Sequence, residues 1–180
     1  MLGDGGAIVV LESLEHAERR GARILGELLG YGLSADAYHI TAPSPGGEGA
    51  AACMQLALED AQIEAGAVGH VNAHGTSTPL NDAAEAEAIR KVFGDTPPPV
   101  TSTKGVTGHL VGAAGATEAI ASLLALAHAA VPPTANLEQL GEDIALDVVA
   151  GTARDLAPSP VVSNSFGFGG HNATLVFAPR

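Results

Sequence analysis

The sequence predicts an α/β layered fold in which a mixed sheet is covered by helices. Short apolar segments typical of buried strands alternate along the chain with segments of helical spacing. Clusters of glycine and proline separate them, most clearly in "TAPSPGGEG" at residues 41–49. With 180 residues, 46% hydrophobic and 16% charged, the chain is long and apolar enough for one globular core. Alternating elements bury their apolar faces most easily as layers, which gives the α/β class.

The first half of the chain is predicted to alternate between strand and helix. "GAIVVLES" at 6–13 has the continuous apolar character of a buried strand, and "ESLEHAERRG" at 12–21 follows as a short helix closed by a glycine. A further apolar segment at 23–37 leads to the glycine- and proline-rich loop. Residues 48–63 then have helical spacing, and "VGHVNAHG" at 68–75 is a short strand that ends at a histidine motif.

The second half continues the alternation. A helix is predicted at 81–94, with acidic residues in its first turn and basic residues near its end, as the helix dipole favours. "PPPVTSTK" at 97–104 leads in extended form to a second histidine motif, and a helix with many small residues follows at 112–130. Three strands close the chain, the last two joined by a glycine-rich turn: 146–151, 160–170 and 172–179.

Composition excludes several classes of protein. A formal net charge of −12 with only 8 Lys and Arg residues argues against a nucleic-acid surface, because phosphates are neutralised by clustered basic side chains. The single cysteine, Cys53, excludes an internal disulfide framework and fits a reducing, cytoplasmic setting. Cys53 lies on the apolar face of a predicted helix, so we interpret it as a core residue rather than a nucleophile. The longest apolar stretch, 119–131, is too short to span a bilayer, so no membrane is expected.

Two histidines occur in similar settings, each beside glycine and hydroxyl residues. His74 follows a predicted strand, where loop residues project from a sheet edge into a cleft. The alternative for His74 is a packed, hydrogen-bonded core histidine. His109 lies between Gly108 and the start of a helix, whose positive end disfavours the imidazolium form. A neutral ring can donate one N–H to a developing oxyanion, so the pair predicts oxyanion stabilisation.

Other residues near these motifs also have two interpretations. Lys104 lies five residues before His109 in a lysine-poor chain, and its ordinary interpretation is a surface position; Glu118 lies nine residues after His109 on the same helix. "SNSFGFGGHN" at 163–172 contains Phe166 and Phe168, two of only four phenylalanines. They predict an aromatic pair on a bendable backbone, and the alternative is a β-turn with two core rings.

Four segments carry these motifs together and cover essentially the whole chain: "GDGGAIVVLESLEHAERRGA", "VNAHGTSTPLNDAAEAEAI", "TSTKGVTGHLVGAAGATEAI" and "NSFGFGGHN". In this order they resemble the C-terminal half of the β-ketoacyl-acyl carrier protein synthases, the elongating condensing enzymes of the thiolase superfamily. The combination of "HGTSTxxND", "KxxxGHxxGAAG" and "NSFGFGG" is far more specific than any single motif. The ending "GFGGHN" is most similar to the synthases that extend long mycolic-type precursors. The resemblance implies a thiolase-like layered fold.

The resemblance also implies a reaction and roles for individual residues. In that family an acyl group is carried on a cysteine, malonyl-carrier protein loses carbon dioxide, and the resulting enolate attacks the acyl thioester during fatty acid elongation. Two histidines would stabilise the enolate oxygen and a Lys–Glu pair would support them: His74, His109, Lys104 and Glu118. Hydroxyls would hold the phosphopantetheine arm and a flexible aromatic turn would gate the acyl pocket: Thr76 and Thr78, then Phe166, Gly167 and Phe168. The chemistry agrees, because paired neutral donors stabilise the charge that builds on the malonyl carbonyl oxygen.

The resemblance implies partners rather than a resident cofactor. An acyl carrier protein would bring the phosphopantetheine arm, and no metal is expected. The family's nucleophilic cysteine belongs to an N-terminal half, and the context of Cys53 does not match it. We therefore expect a C-terminal portion of a synthase that lacks acylation by itself, with residues 1–30 as the last strand and helix of the N-terminal half and 31–180 as the C-terminal domain. An N-terminal half or a homodimer partner would complete it.

Two alternatives to this function stay open. The chain could be a non-catalytic partner subunit of a complete synthase, as chain-length-determining subunits are, although such a subunit has no need of both histidines with Lys104 and Glu118. A metal site at His74, Asp82 and His109 is weaker, because Asp82 lies at a helix start where capping explains it. The basic candidates for docking an acidic carrier protein are few: Arg19, Arg20, Arg23, Arg90 and Lys91.

Overall fold

The computed structural model describes the whole chain, Met1–Arg180. In chain order its helices and strands are α1 (Leu14–Arg19), β1 (Glu27–Ala35), α2 (Glu48–Asp60), β2 (His70–Asn72), α3 (Pro79–Phe93), β3 (Val100–Thr101), α4 (Lys104–Thr107), α5 (Ala114–His128), β4 (Ala130–Val131), β5 (Arg154–Asp155), β6 (Val161–Gly167) and β7 (His171–Ala178). The predicted helices at 12–21, 48–63, 81–94 and 112–130 are therefore confirmed, each with ends that differ by a few residues.

Five strands form the main sheet in the order β1-β7-β6-β2-β3. β7 pairs antiparallel with both β1 and β6, whereas β2 pairs parallel with both β6 and β3. The sheet is mixed, as predicted, and the β6–β7 hairpin closes through the glycine-rich turn at Phe168–Gly170. β4 and β5 form a separate two-stranded ladder.

Hydrophobic cores lie on both faces of the sheet. Val162 and Val176 pack with residues of α2 and α3, whereas their neighbours in sequence, Val161 and Phe177, pack with residues of α5. Successive side chains of a strand point to opposite faces. Helices α2 and α3 therefore cover one face and α5 covers the other, which confirms the α/β layered class.

Glycines in β1 let α2 approach the sheet closely. A Cβ atom on Gly32 would lie 2.0 Å from the carbonyl oxygen of Cys53, and one on Gly30 would lie 2.4 Å from the backbone nitrogen of Ala61. The Cys53 thiol donates to the Gly32 carbonyl at 3.2 Å. This close packing explains why a strand contains two glycines, which otherwise weaken strands.

The prediction of a buried strand at 6–13 is wrong for this chain. Neither sheet includes the segment, and Ile8, Val10 and Leu11 are 89%, 80% and 71% exposed. A strand forms only where a neighbour takes its backbone N–H and C=O groups. The apolar pattern indicated a segment suited to burial, but no strand of the chain runs beside it.

The predicted strand at 146–151 is also wrong. Its residues make only isolated bridges, Val148 with Val100 and Ala150 with Thr134. The segment thus pairs for one residue with the edge strand β3 and for one residue with the segment after β4, and Gly151, with a φ of 73°, then turns the chain away. Two partners of one residue each do not make a ladder.

Helix α5 is the most apolar helix of the chain. With the turn before it, residues Val111–His128 are long and apolar enough to cross a membrane by length and composition alone. The apolar stretch considered from the sequence was only 119–131, whereas the window that meets this criterion begins earlier, at Val111, and ends at His128. Core helices of soluble proteins pass the same test, and α5 packs on the sheet and contains a buried charged residue, Glu118.

Candidate active site

The candidate site lies at the carboxyl ends of three parallel strands. His74 follows β2, Lys104 follows β3, and Phe166 lies near the end of β6, the parallel neighbour of β2. Loops at this edge of open α/β sheets are where ligands bind. The sheet thus gathers side chains that are far apart in sequence.

His74 is buried, with 6% of the residue exposed. Its Nδ1 lies 3.3 Å from the Lys104 ammonium nitrogen. An ammonium group can only donate, so Nδ1 must accept, and the ring proton of neutral His74 is on Nε2. Burial lowers the pKa of His74 to about 3, and the positive charge of Lys104 contributes a smaller part of this shift. The imidazole is therefore neutral throughout the physiological range.

Lys104 owes its place beside His74 to Glu118. The two form an ion pair in which their side chains are only 6% and 2% exposed, so the surface interpretation of Lys104 is wrong. Burial raises the pKa of the Glu118 carboxyl, and the adjacent ammonium group opposes this rise. Because a buried ammonium group needs a compensating negative charge, the Glu118 carboxylate on α5 holds Lys104 beside His74.

His109 reaches the same tautomer by a different contact. The backbone N–H of Val111 donates to His109 Nδ1 at 3.2 Å, which leaves the ring proton of the neutral form on Nε2. Burial and the Lys104 charge lower the pKa of His109, in the same direction as the helix dipole suggested from the sequence. Its ring centroid lies 5.3 Å from that of His74, with the ring planes nearly perpendicular at 81°.

Two neutral imidazoles with free Nε2–H groups therefore stand side by side. Such donors stabilise negative charge on an oxygen without carrying a charge of their own, and a site that excludes water strengthens them. The arrangement suits a reaction in which a carbonyl oxygen becomes an oxyanion. The structure thus brings together four of the residues that the resemblance singled out: His74, His109, Lys104 and Glu118.

A buried carboxylate, missed by the sequence reasoning, holds the His74 loop. Glu85 of α3 accepts hydrogen bonds from the backbone N–H groups of His74 and Gly75, both at 2.8 Å, and from the Asn164 side chain at 3.2 Å. The Thr174 hydroxyl donates to Asn164 at 2.9 Å and completes the network. One signal was present in the sequence: Glu85 lies four residues before Ile89 on the buried face of α3.

Thr76 and Thr78 lie on the exposed side of the same loop. Their hydroxyl oxygens are 2.9 Å apart and hydrogen-bonded to each other. Ser77 between them has a φ of 60°, so the loop turns sharply and presents both hydroxyls together. Their role in holding a phosphopantetheine arm stays a prediction.

Phe166 and Phe168 do not form the predicted aromatic pair, nor are both core rings. Phe166 packs against His74 with ring centroids 6.0 Å apart, whereas Phe168 is 78% exposed. Gly167 ends β6, so Phe166 belongs to the strand whereas Phe168 begins the turn Phe168–Gly170, where the side-chain directions of the strand no longer apply. The turn that carries Phe168 is tied to another loop, because the Gly169 N–H donates to the Ile40 carbonyl at 2.7 Å.

Two further candidates from the sequence do not join the site. Cys53 is fully buried and hydrogen-bonded within the core, and burial raises the pKa of its thiol, which confirms the interpretation as a core residue. No group of three His, Cys, Asp or Glu side chains is arranged to hold a metal ion, so His74, Asp82 and His109 do not form the alternative metal site. Of the basic docking candidates, three are engaged in surface ion pairs: Arg19, Arg20 and Lys91.

Known proteins share this fold and much of this sequence. The family model described as "Beta-ketoacyl synthase, C-terminal domain" matches residues 25–138. The chain belongs to the β-ketoacyl synthase family. It is similar to 3-oxoacyl-[acyl-carrier-protein] synthase 2 of Coxiella burnetii, with 51% identity over 99% of this chain and 44% of that protein. The chain thus spans less than half the length of the curated relative that it matches.

Solved structures of ketosynthases have the same architecture. The ishigamide ketosynthase/chain length factor superposes with a TM-score of 0.96 and 46% identity over 100% of this chain and 44% of its own. A type II PKS acyl-carrier protein in complex with its ketosynthase bound to the hexaketide gives a TM-score of 0.90 and 37% identity over 94% of this chain and 42% of its own. At these identities the likeness extends beyond fold to family, and the thiolase-like fold implied by the resemblance is confirmed.

Proposed function

We propose that this chain is the C-terminal, decarboxylating part of a 3-oxoacyl-[acyl-carrier-protein] synthase. The synthase would catalyse the decarboxylative condensation of malonyl-carrier protein with an acyl thioester in fatty acid elongation. The observation that carries the proposal is the pair of neutral imidazoles whose Nδ1 atoms are both occupied as acceptors, so that both Nε2–H groups are free to bind one oxygen. Acyl carrier protein is the partner that would supply the substrate, and a related ketosynthase has been solved in complex with its acyl-carrier protein.

Substrate binding would use the exposed edge of the site. The phosphopantetheine arm, which belongs to the carrier protein, is bound by the paired hydroxyls of Thr76 and Thr78. Phe166 beside His74 and the exposed Phe168 border the acyl side, with Gly167 as the flexible link. We expect the reaction to take place in the cytoplasm.

The chemical step begins at the malonyl thioester. The bond between the carboxylate carbon and the central carbon breaks, carbon dioxide leaves, and the electron pair of that bond becomes part of an enolate. The thioester oxygen then carries the negative charge, and the Nε2–H groups of His74 and His109 both donate to it. Each donor binds the oxyanion more strongly than it binds the neutral carbonyl, so the pair lowers the barrier rather than merely binding substrate.

Condensation consumes the enolate. Its carbon attacks the carbonyl carbon of the acyl thioester, a carbon–carbon bond forms, and the cysteine thiolate that held the acyl group leaves. That cysteine is not Cys53, whose thiol is buried and has a raised pKa. In the family the acylated cysteine belongs to the N-terminal half, which the complete synthase would contribute.

The alternative of a non-catalytic partner subunit is less well supported. A subunit that only shapes the acyl pocket gains nothing from a buried Lys–Glu ion pair, which is costly to desolvate. Here the pair directs the Lys104 ammonium at His74 and fixes the tautomer of that ring. A catalytic role of His74 explains why this desolvation cost is tolerated, and a purely structural role does not.

Loss of labelled carbon dioxide from malonyl-carrier protein tests the proposal. The chain is assayed alone and mixed with the N-terminal part of a related synthase. Substitution His74→Ala or His109→Ala should each lower the rate on the order of 10²-fold or more, because each removes an oxyanion donor. His128→Ala, which changes an exposed histidine of α5, is the matched control and should keep the rate. Wild-type rates in either site variant, or no decarboxylation by any mixture, would contradict the proposed function.

A further inference from the structure

The backbone of His109 is held by a segment more than a hundred residues away. The His109 N–H donates to the Met1 carbonyl at 3.0 Å, and the Gly3 N–H donates to the His109 carbonyl at 3.1 Å. Leu2 and His109 thereby form an isolated parallel bridge that belongs to neither sheet. Both polar backbone groups of His109 are satisfied by this one segment.

Only glycine at position 3 permits this contact. A Cβ atom on Gly3 would lie 2.1 Å from the backbone carbonyl oxygen of Thr107, far inside the closest approach that real Cβ atoms make. Gly108 does the same from the other side: its φ is +68°, and its own Cβ would lie 3.0 Å from the Gly3 nitrogen. Backbone therefore meets backbone with no side chain between, directly before His109.

The ring of His109 has little else to orient it. Its residue is only partly buried, and its one hydrogen bond, from the Val111 N–H, is long at 3.2 Å. That bond joins atoms only two residues apart, so its geometry depends on the backbone torsions between His109 and Val111. Val111 has a φ of 51°, a conformation that β-branched residues rarely adopt and that needs support from its surroundings.

We propose that the segment Met1–Gly3 positions His109, and that Gly3 is a positioning residue for the reaction. Its catalytic meaning rests on the proposed function, whereas its effect on the ring does not. The segment fixes the His109 backbone, the fixed backbone keeps Nδ1 in reach of the Val111 N–H, and Nε2–H is thereby left for the substrate oxygen. Residues 1–3 lie outside the region 25–138 that the family model matches, so they extend the site beyond that domain.

Histidine NMR on the purified chain provides the test. Long-range couplings from ring protons to ring nitrogens report which nitrogen of each histidine carries the proton, and a His109→Gln variant assigns the signals. Gly3→Ala inserts the clashing Cβ, and a chain without residues 1–5 removes both hydrogen bonds without any clash. Gly6→Ala is the matched control, because a Cβ at Gly6 meets nothing within 4 Å.

In the wild-type chain and in Gly6→Ala we expect His109 in a single tautomer with Nδ1 unprotonated. In Gly3→Ala and in the shortened chain both tautomers should be populated, while the His74 signals stay as in wild type, because Lys104 and Glu85 hold that ring and loop independently. The unchanged His74 signals show that the fold is intact. If Gly3→Ala unfolds, the shortened chain decides. An unchanged single tautomer of His109 in the shortened chain would overturn the proposal.

Decarboxylation separates this inference from the proposed function. If the wild-type mixture releases carbon dioxide, Gly3→Ala should lower the rate on the order of 10²-fold, the effect of misplacing a reacting group by about 1 Å, with Gly6→Ala unchanged. If the wild type releases none while the tautomers still shift, the proposed function fails and the positioning role stands. If the wild-type mixture releases carbon dioxide but the His109 tautomer does not shift in Gly3→Ala or in the shortened chain, the proposed function stands and the positioning role of Gly3 fails.

Discussion

The two histidines of the site present the same donor by different means. His74 is buried, and side chains hold it: Lys104 fixes its tautomer and Glu85 fixes its backbone. His109 is partly exposed, and backbone groups hold it, from Val111 on one side and from the segment Met1–Gly3 on the other. Side-chain support requires charges to be buried and so couples the site to stability, whereas backbone support couples it to the local space that glycines provide. Substitutions should therefore act very differently around the two rings.

The buried ion pair behind His74 should show the largest effect on stability. Lys104→Met leaves Glu118 as an uncompensated buried carboxylate and should lower the free energy of unfolding by about 3–5 kcal/mol, as removal of one partner of a buried pair does. Lys91→Met is the matched control, because Lys91 pairs with Glu48 at the exposed surface and should cost no more than about 1 kcal/mol. Urea unfolding of both variants measures the difference. Equal losses would mean that burial of the Lys104–Glu118 pair has no energetic consequence.

The next largest effect should be a difference between the two histidines in how stability depends on pH. The folded-state pKa of His74 is lowered to about 3 from an ordinary value of 6.5, so folding opposes its protonation. Its contribution to stability is fully present above about pH 6.5, where both states are neutral, and is lost as the pH falls and the unfolded state takes up the proton first. Between pH 7 and pH 4 the stability advantage of wild type over His74→Gln should shrink by about 3 kcal/mol, at 1.36 kcal/mol for each pKa unit.

The comparison with His109→Gln isolates this effect from the other titrating groups. The pKa of His109 is also lowered, but the ring is much less buried. The stability advantage of wild type over His109→Gln should therefore fall less over the same pH range. Parallel pH profiles for the two variants would show that the difference in burial does not govern the protonation of the rings.

The carboxylate below the His74 loop should give the smallest of the three effects. Glu85→Gln replaces one acceptor oxygen with an amide that can only donate, so one of the N–H groups of His74 and Gly75 loses its partner. A buried unsatisfied donor costs about 1–3 kcal/mol, and unfolding in urea should show a loss of that size. Glu87→Gln, two residues along the same helix and exposed, should change stability by less than about 0.5 kcal/mol. If Glu85→Gln is as stable as Glu87→Gln, Glu85 does not stabilise the His74 loop.

Much of this molecule followed from local patterns. The helices at 48–60, 79–93 and 114–128 have apolar periodicity and end signals such as Gly94, and the hairpin of β6 and β7 has its glycine turn. The motifs around His74 and His109 also carried the resemblance to the synthase family. These features were predictable because each depends on residues within about one helix or one turn of each other.

Partner-dependent features were not predictable in this way. The apolar segment at 6–13 has the pattern of a buried strand and yet is exposed, since a strand exists only where another strand pairs with it. The segment at 146–151 found one-residue partners on two sides and formed no ladder. Phe166 and Phe168 looked alike in sequence, but Phe166 lies within β6 against His74, whereas Phe168 lies in the turn after the strand and is exposed to solvent.

The α/β class, the family and the two imidazoles could be identified from single segments of the chain, because they depend on periodicity and on short motifs. The protonation state and tautomer of those imidazoles depend on how the chain folds around them. The proton positions follow from Lys104 on one ring and Val111 on the other, and the backbone of each is fixed by a distant residue, Glu85 or Gly3. Burial and hydrogen bonding are properties of what surrounds a group in space, and the sheet brings those surroundings together from parts of the chain that no local pattern connects.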